Sequence, residues 1–274
     1  MILTLDVGNS QIFGGVFDGD ALAIRFRKTS RPVTTSDELG LFLRAVLREN
    51  GADPSQVGNI AICCVVPELL YSLRSCCRKY FDIDPFVLQP GARTGLKIRY
   101  RNPVEVGPDR IANAIGAAHL YPGRDLVVID FGTATTLDVI GSNRDYMGGI
   151  ILPGLRISME ALEKNTARLP TVEIVRPAEL IGRSTVDSIQ SGLYFGNRAM
   201  VRELTREIAA DTFGGKAPLV IGTGGFARLF ERDTLFDVLV PDLVLVGLRR
   251  ALALNEDARS PAAAGDLDRV AAEN

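Results

Sequence analysis

Two stretches of the chain, LTLDVGNSQIFGGVFDGD near the N-terminus and LVVIDFGTATTLDVIGSN near the middle, follow one plan. Each is an apolar run ending in Asp-x-Gly, followed by a small polar residue and an alternating segment that closes on Gly. A run of that kind reads as a buried strand, a tight turn and a returning strand, so the chain is expected to build the same strand-turn-strand unit twice. Glycine at position 8 or 132 allows close backbone approach, and the turn's N–H groups then form a cradle for phosphate oxygens. Asp6 and Asp130, at the strand ends, would repel those oxygens unless a cation lay between, which makes each carboxylate a candidate cation ligand. Either loop alone reads equally well as a plain hairpin turn. The pair, each after an apolar strand, points to two loops gripping the phosphates of one nucleotide.

The rest of the chain alternates strand and helix signals, the pattern of an α/β layered fold. Gln11 to Phe17 and Ala21 to Lys28 continue the first strand as a meander. TTSDELGLFLRAVLREN reads as an amphipathic helix with Leu39, Phe42, Leu43, Val46 and Leu47 on one face, a Thr or Ser cap before it and Gly51 after it. Strands follow at Ile60 to Val65 and Phe86 to Gln89 with a helix from Pro67 between them, then at Leu126 to Asp130, Thr135 to Ile140 and Met147 to Leu152. The longest helical pattern runs from Thr185 to Asp211. Residues 256–274, polar and without apolar periodicity, read as a disordered tail.

Composition excludes several classes. With 46% hydrophobic and 23% charged residues the chain can bury a large core, and no run approaches the roughly 18 apolar residues of a membrane span. A formal net charge of −2 gives no general reason to expect nucleic acid or an anionic membrane as partner. The N-terminus lacks the basic and apolar regions of a signal peptide, so the expected location is cytoplasmic. Cys63-Cys64 and Cys76-Cys77 have no metal-ligand spacing and read as buried thiols. His119, the one histidine, ends an Ala-rich helical pattern and is taken as structural.

A third glycine turn, IGTGGFARLF, ends a strand and opens a helix at Gly222, Gly224 and Gly225, where a nucleotide sugar or base could approach the backbone. No Walker loop occurs, and the turn lacks the full dinucleotide fingerprint. In YRNPVEVGPDRIANAIGA, Gly107 and Pro108 announce a helix whose first turn holds Asp109, with Arg110 beside it. The helix dipole there is expected to keep the Asp109 carboxylate ionised, with a low pKa.

The motifs DVGNS, GLKIRYRNPVEVGPDRIANAIGA, DFGTATT, GGIILPGL and IGRSTVDSIQSG together resemble, in order and spacing, the type III pantothenate kinases of bacteria, to about residue 254. The resemblance implies two duplicated RNase H-like domains of the acetate and sugar kinase/Hsp70/actin superfamily, at 1–118 and 119–255, and ATP-dependent phosphorylation of pantothenate. It implies that Asp6, Val7, Gly8, Asn9, Ser10, Gln11, Ile12, Phe13 and Thr133 bind ATP. Asp109 would be the base, with Tyr100, Gly107, Pro108, Arg110 and Thr185 lining the pantothenate site. Mg²⁺ would accompany ATP, and potassium or ammonium would sit near Asp130. Ser10 stands where Thr is common in the family, which keeps the hydroxyl. The resemblance also implies a homodimer with Thr185 supplied across the interface. The apolar positions Ile189, Leu193, Gly196, Met200 and Leu204, with Tyr194 and Phe195, read either as a partner-facing stripe or as a core face. The alternatives are a noncatalytic accessory factor linked to transcription, against which the three aspartates argue, and another phosphotransferase of the superfamily.

Overall fold

The computed structural model describes residues 1–166 and 168–256. In chain order its elements are strands β1 (Ile2–Val7), β2 (Gln11–Asp18) and β3 (Ala21–Thr29), helix α1 (Ser36–Glu49), β4 (Asn59–Cys64), α2 (Pro67–Phe81), β5 (Phe86–Val87), β6 (Lys97–Ile98) and α3 (Pro108–Leu120). They continue with β7 (Leu126–Phe131), β8 (Ala134–Ile140), β9 (Asp145–Pro153), α4 (Leu155–Asn165), α5 (Thr185–Thr212), β10 (Leu219–Thr223), β11 (Val238–Leu239) and α6 (Leu243–Glu256).

The chain forms two compact units that are discontinuous in sequence. Of the described residues, unit 1 takes Met1–Leu96, Asn102–His119 and Val244–Glu256; unit 2 takes Lys97–Arg101 and Leu120–Leu243. The sequence reading drew one boundary after residue 118. The difference lies in two returns, the short β6 segment and α6, whose partners are distant in sequence. Glu256, assigned to a tail, is the last residue of α6, and residues 257–274 lie outside the described residues.

The duplication is visible in the sheets. Unit 1 orders its strands β3-β2-β1-β4-β5 and unit 2 orders the equivalents β9-β8-β7-β10-β11, with β6 added beside β9. In each, the first three strands form an antiparallel meander and the next two run parallel to the meander's first strand. A parallel neighbour must be reached by a crossover, which α1 supplies before β4 and the α4–α5 segment before β10. Asp6 is the fifth residue of β1 and Asp130 the fifth of β7, so the repeat in sequence is a repeat in space.

Apolar periodicity sets each core. Leu3, Leu5 and Val7 of β1 pack with Ile60 and Ile62 of β4, with Leu39, Leu43 and Leu47 of α1, and with Leu69, Leu73, Cys76 and Cys77 of α2. Thr35 caps α1 in a capping box, its side chain accepting from the Glu38 N–H while Glu38 accepts from the Thr35 N–H. In unit 2, α5 is anchored by Tyr194, whose ring stacks on Phe230, itself stacked on Phe131 at the end of β7. The Tyr194 hydroxyl donates to Asp233, which also pairs with Arg198 and Arg176, and burial followed by that bond pushes the phenol up to about 12. This corrects the partner-facing stripe. Ile189 and Leu193 are 7% and 5% exposed and belong, with Tyr194, to the unit 2 core; Met200 alone of that row is exposed, at 44%.

Two smaller expectations also change. β5 is a two-residue strand rather than four, although the Leu88 N–H still bonds the Ile62 carbonyl. The glycine turn after β10 opens a 3-10 helix, Ala227–Asp233. Cys63, Cys76 and Cys77 are buried and Cys64 is half-buried, all as thiols, and His119 lies exposed in the last turn of α3.

Candidate active site

In unit 1 the first loop follows β1 as a three-residue connection, with the Gly8 N–H donating to the Gln11 carbonyl at 3.0 Å. It is held from outside by Ser30, whose hydroxyl donates to the Gly8 carbonyl at 2.6 Å and whose N–H donates to the Ser10 carbonyl at 3.1 Å. The loop is thus closed over 22 residues by a buried serine that sequence periodicity does not single out. Asn9, Ser10 and Gln11 are exposed and Asp6 and Gly8 half-buried, whereas Val7, Ile12 and Phe13 are buried. Arg27, on β3, covers the Phe13 ring at 4.0 Å and lies 3.5 Å from the Gln11 amide oxygen, which puts a guanidinium beside the loop.

The parallel register of β1 and β4 places Cys63 beside Asp6, and its thiol donates to Asp6 Oδ1 at 3.1 Å. Burial, then the charges of Asp6 and Asp109, push the thiol pKa far up, so Cys63 remains a donor. A buried hydrophobic-looking cysteine is therefore a partner of the loop carboxylate. Only the strand register reveals it.

Asp109 is in the first turn of α3, which starts at Pro108. Its Oδ1 accepts from the Arg110 N–H at 2.8 Å. A side chain at Gly107 would place its Cβ 2.5 Å from that same oxygen, so the carboxylate occupies space that only glycine leaves. Burial raises the Asp109 pKa, overriding the backbone N–H groups and Arg110 that lower it. This overturns the expected low value: desolvation outweighs the helix terminus. Arg110 is 8% exposed, so it is a buried cation next to the carboxylate.

In unit 2 the second loop is one residue shorter, with the Gly132 N–H donating to the Ala134 carbonyl at 3.0 Å. Thr133 is exposed and Asp130 half-buried. Gly154, the N-cap of α4, packs against the loop so tightly that a Cβ there would lie 2.2 Å from the Thr133 carbonyl oxygen. Gly224, at φ +91°, also approaches Asp130; a Cβ would lie 2.2 Å from its Oδ1, and one on Gly132 3.3 Å from it. Two glycines thus leave the Asp130 carboxylate its room. Among the described residues no group of three or more His, Cys, Asp or Glu could hold a metal, so a cation here would complete its shell from ligand oxygens or backbone.

Tyr100 follows β6 in unit 2, its ring edge against Gly148. Thr185 is the first residue of α5, capped by Ser184, and is exposed at the rim of a groove of about 510 Å³ walled by Leu162, Leu169, Ile189, Leu193 and Met200. The structure therefore brings Asp6, the first loop and Asp109 with Gly107, Pro108 and Arg110 into unit 1. It brings Asp130, Thr133, Tyr100 and Thr185 into unit 2.

A family model described as type III pantothenate kinase matches residues 2–207. The type III pantothenate kinase of Legionella pneumophila (strain Corby) is 58% identical over 255 residues, which covers 93% of this chain and 99% of the relative. A crystal structure from Campylobacter jejuni, titled a Baf family transcriptional activator, is 20% identical with a TM-score of 0.59, covering 93% of this chain and 99% of that one. A Sinorhizobium meliloti structure titled 2-dehydro-3-deoxygalactonokinase is 15% identical with a TM-score of 0.58, covering 95% and 100%. At those identities the likeness to the two structures is one of fold.

Proposed function

The chain belongs to the type III pantothenate kinase family, and we infer that it phosphorylates pantothenate with ATP to give 4'-phosphopantothenate, the first step of coenzyme A biosynthesis. Its fold is the two-domain RNase H-like α/β fold of the acetate and sugar kinase/Hsp70/actin superfamily. The observation that carries the assignment of roles is the seat of Asp109 over Gly107 at the start of α3, in the same unit as the first loop.

In this reading the Asp109 carboxylate accepts the proton of the terminal hydroxyl as its oxygen bonds to the γ-phosphorus, and the bond to the β–γ bridging oxygen breaks to release ADP. A pKa raised by burial suits a group that must take a proton, and phosphoryl transfer asks more of positioning and charge neutralisation than of base strength. Arg110 holds charge beside the base. The loops at Asn9 and Ser10 and at Thr133 would present backbone N–H groups to phosphate oxygens, while the Gly8 and Gly132 N–H groups close the two turns. Asp6 would hold Mg²⁺ with the nucleotide, and Asp130, seated between two glycines, would hold potassium or ammonium; these cations neutralise phosphate charge. Tyr100, Gly107, Pro108 and Thr185 complete the acceptor contacts.

The reading extends to a cytoplasmic homodimer. It is supported by exposed apolar side chains around the start of α5, among them Leu180 at 59%, Ile181 at 73% and Val186 at 42% exposure, more than one unit covers by itself. Among the described residues no helix is long and apolar enough to cross a membrane. A coupled assay with ATP and potassium, offering pantothenate, acetate and polyphosphate in parallel, tests the assignment. ADP release that depends on pantothenate is expected, and turnover with acetate or polyphosphate alone would overturn it.

A further inference from the structure

The segment Lys97–Arg101 is a short piece of unit 2 within a stretch whose flanks belong to unit 1. Its strand β6 is two residues long, pairing Lys97 with Asp145 and Ile98 with Tyr146 of β9. Two backbone bonds extend that ladder, Lys97 N–H to the Arg144 carbonyl at 2.9 Å and Arg99 N–H to the Tyr146 carbonyl at 2.8 Å. So short an edge strand holds its register poorly by backbone alone.

Side chains supply the rest. Arg99 Nε donates to Asp145 Oδ2 at 3.0 Å, and Asn143 donates to the same oxygen at 3.2 Å while its own amide oxygen accepts from the Asp145 N–H at 3.1 Å. Asp145 is 8% exposed, and although burial works against its charge, Arg99 and Asn143 hold its pKa below the usual carboxylate value. One residue further on, β9 departs from regular pairing. Val139 faces Gly148 and Ile140 faces Tyr146, leaving Met147 as the extra residue of a β-bulge. Gly148 takes φ +113° there, a backbone that other residues rarely adopt, and the Tyr100 ring lies with Cδ2 and Cε2 3.4 Å from the position a Gly148 Cβ would hold. Bulges re-aim side chains beside functional sites.

We propose that the Arg99–Asp145 pair and the Gly148 bulge are a positioning device for Tyr100, setting its ring for the pantothenate acceptor. The proposal rests on the reading of Tyr100 as an acceptor contact. Arg99 and Asp145 fix the register of the two-residue strand, and Gly148, with no side chain, lets the edge of the Tyr100 ring lie close to the backbone.

The test is steady-state kinetics on Arg99→Met, Asp145→Asn, Tyr100→Ala and the double variant Arg99→Met with Tyr100→Ala, each checked for wild-type circular dichroism. Arg99→Met should raise KM for pantothenate about tenfold, as expected for a misplaced contact, with KM for ATP unchanged. Asp145→Asn, which keeps an acceptor for Nε, should lose less. In the Tyr100→Ala background Arg99→Met should add nothing. If Tyr100→Ala leaves pantothenate KM at the wild-type value, the acceptor role of Tyr100 fails and the positioning role with it. If Tyr100→Ala impairs pantothenate while Arg99→Met does not, or if the two effects multiply in full, the positioning device alone is overturned.

Discussion

Gly247 stands in the second turn of α6, inside the helix, where a helix normally gains from alanine. Gly247→Ala should nevertheless destabilise the protein. A Cβ on Gly247 would lie 1.7 Å from the carbonyl oxygen of Ala112 and 2.6 Å from its carbon, with the Gly116 nitrogen at 3.1 Å, so α6 crosses α3 main chain to main chain. None of these atoms belongs to a side chain that can swing aside. Ordinary contact starts at 3.4 Å, so the helices must part by roughly 1.7 Å or more. Overpacking of this kind costs at the upper end of about 1–3 kcal/mol, while replacing a mid-helix glycine returns about 1 kcal/mol. The net loss is about 2 kcal/mol, which for a chain of this size lowers Tm by about 4–8 °C. Activity should fall as well, because Ala112 is one turn from Asp109 and a shift of about 1 Å in a catalytic group can cost up to ~10²-fold. Thermal unfolding and kcat of Gly247→Ala, beside Gly196→Ala on α5 where an added Cβ meets nothing within 4 Å, provide the assay. A Gly247→Ala protein that melts at or above the wild-type temperature, as Gly196→Ala should, refutes the close crossing.

Asp109→Asn should fold normally and lose about 10²–10⁴ in kcat, and near wild-type turnover would remove Asp109 as base. The same residue sets the acid limb of kcat/KM: the base works deprotonated and its pKa is raised, so the rate should fall as pH drops through a value above 3.8, and a limb at or below 3.8 contradicts the burial argument. Gly107→Ala has no positive φ to offend, so it should displace the Asp109 carboxylate and lower kcat while Tm stays within a degree or so of wild type; unchanged kcat would mean the seat is not needed. At fixed ionic strength potassium or ammonium should raise activity over sodium or a bulky organic cation, and Asp130→Asn should abolish the difference; equal rates in all four salts exclude a monovalent site. Thr185→Ala should weaken pantothenate binding with little effect on ATP, and at subsaturating pantothenate a mixture with Asp109→Asn chains should exceed the average activity of the two parents; no gain on mixing would refute the shared site.

The parts of the molecule legible in the sequence are those whose causes are local. The meander of β1 to β3, the capped α1 and the apolar run of β7 each show in their own residues, because period, cap and turn chemistry act over a few positions. The paired loops were legible for a further reason, that duplication prints one pattern twice. What escaped is non-local. The pairing of β6 with β9 joins residues 97 and 145, the Ser30 clasp joins residues 30 and 8, and the return of α6 joins residues 247 and 112. An apolar row on α5 fits core and partner equally well by period alone, and it is the stacking of Tyr194 on Phe230 that makes it core.

The same limit governs the carboxylates of the site. From sequence, Asp109 is an acid at a helix start, where the dipole favours its charge, and Gly107 and Gly224 are turn residues. In space each glycine is defined by a carboxylate it leaves room for, Gly107 by Asp109 and Gly224 by Asp130. Seating a carboxylate against backbone shields it from water, and that shielding raises the Asp109 pKa against the pull of the helix terminus. The motif GPDR therefore carries two opposed electrostatic instructions. Which one wins is decided by burial, a property of the packing around the start of α3 in unit 1. A proton acceptor poised above its ordinary range is thus made by close packing as much as by the residue itself.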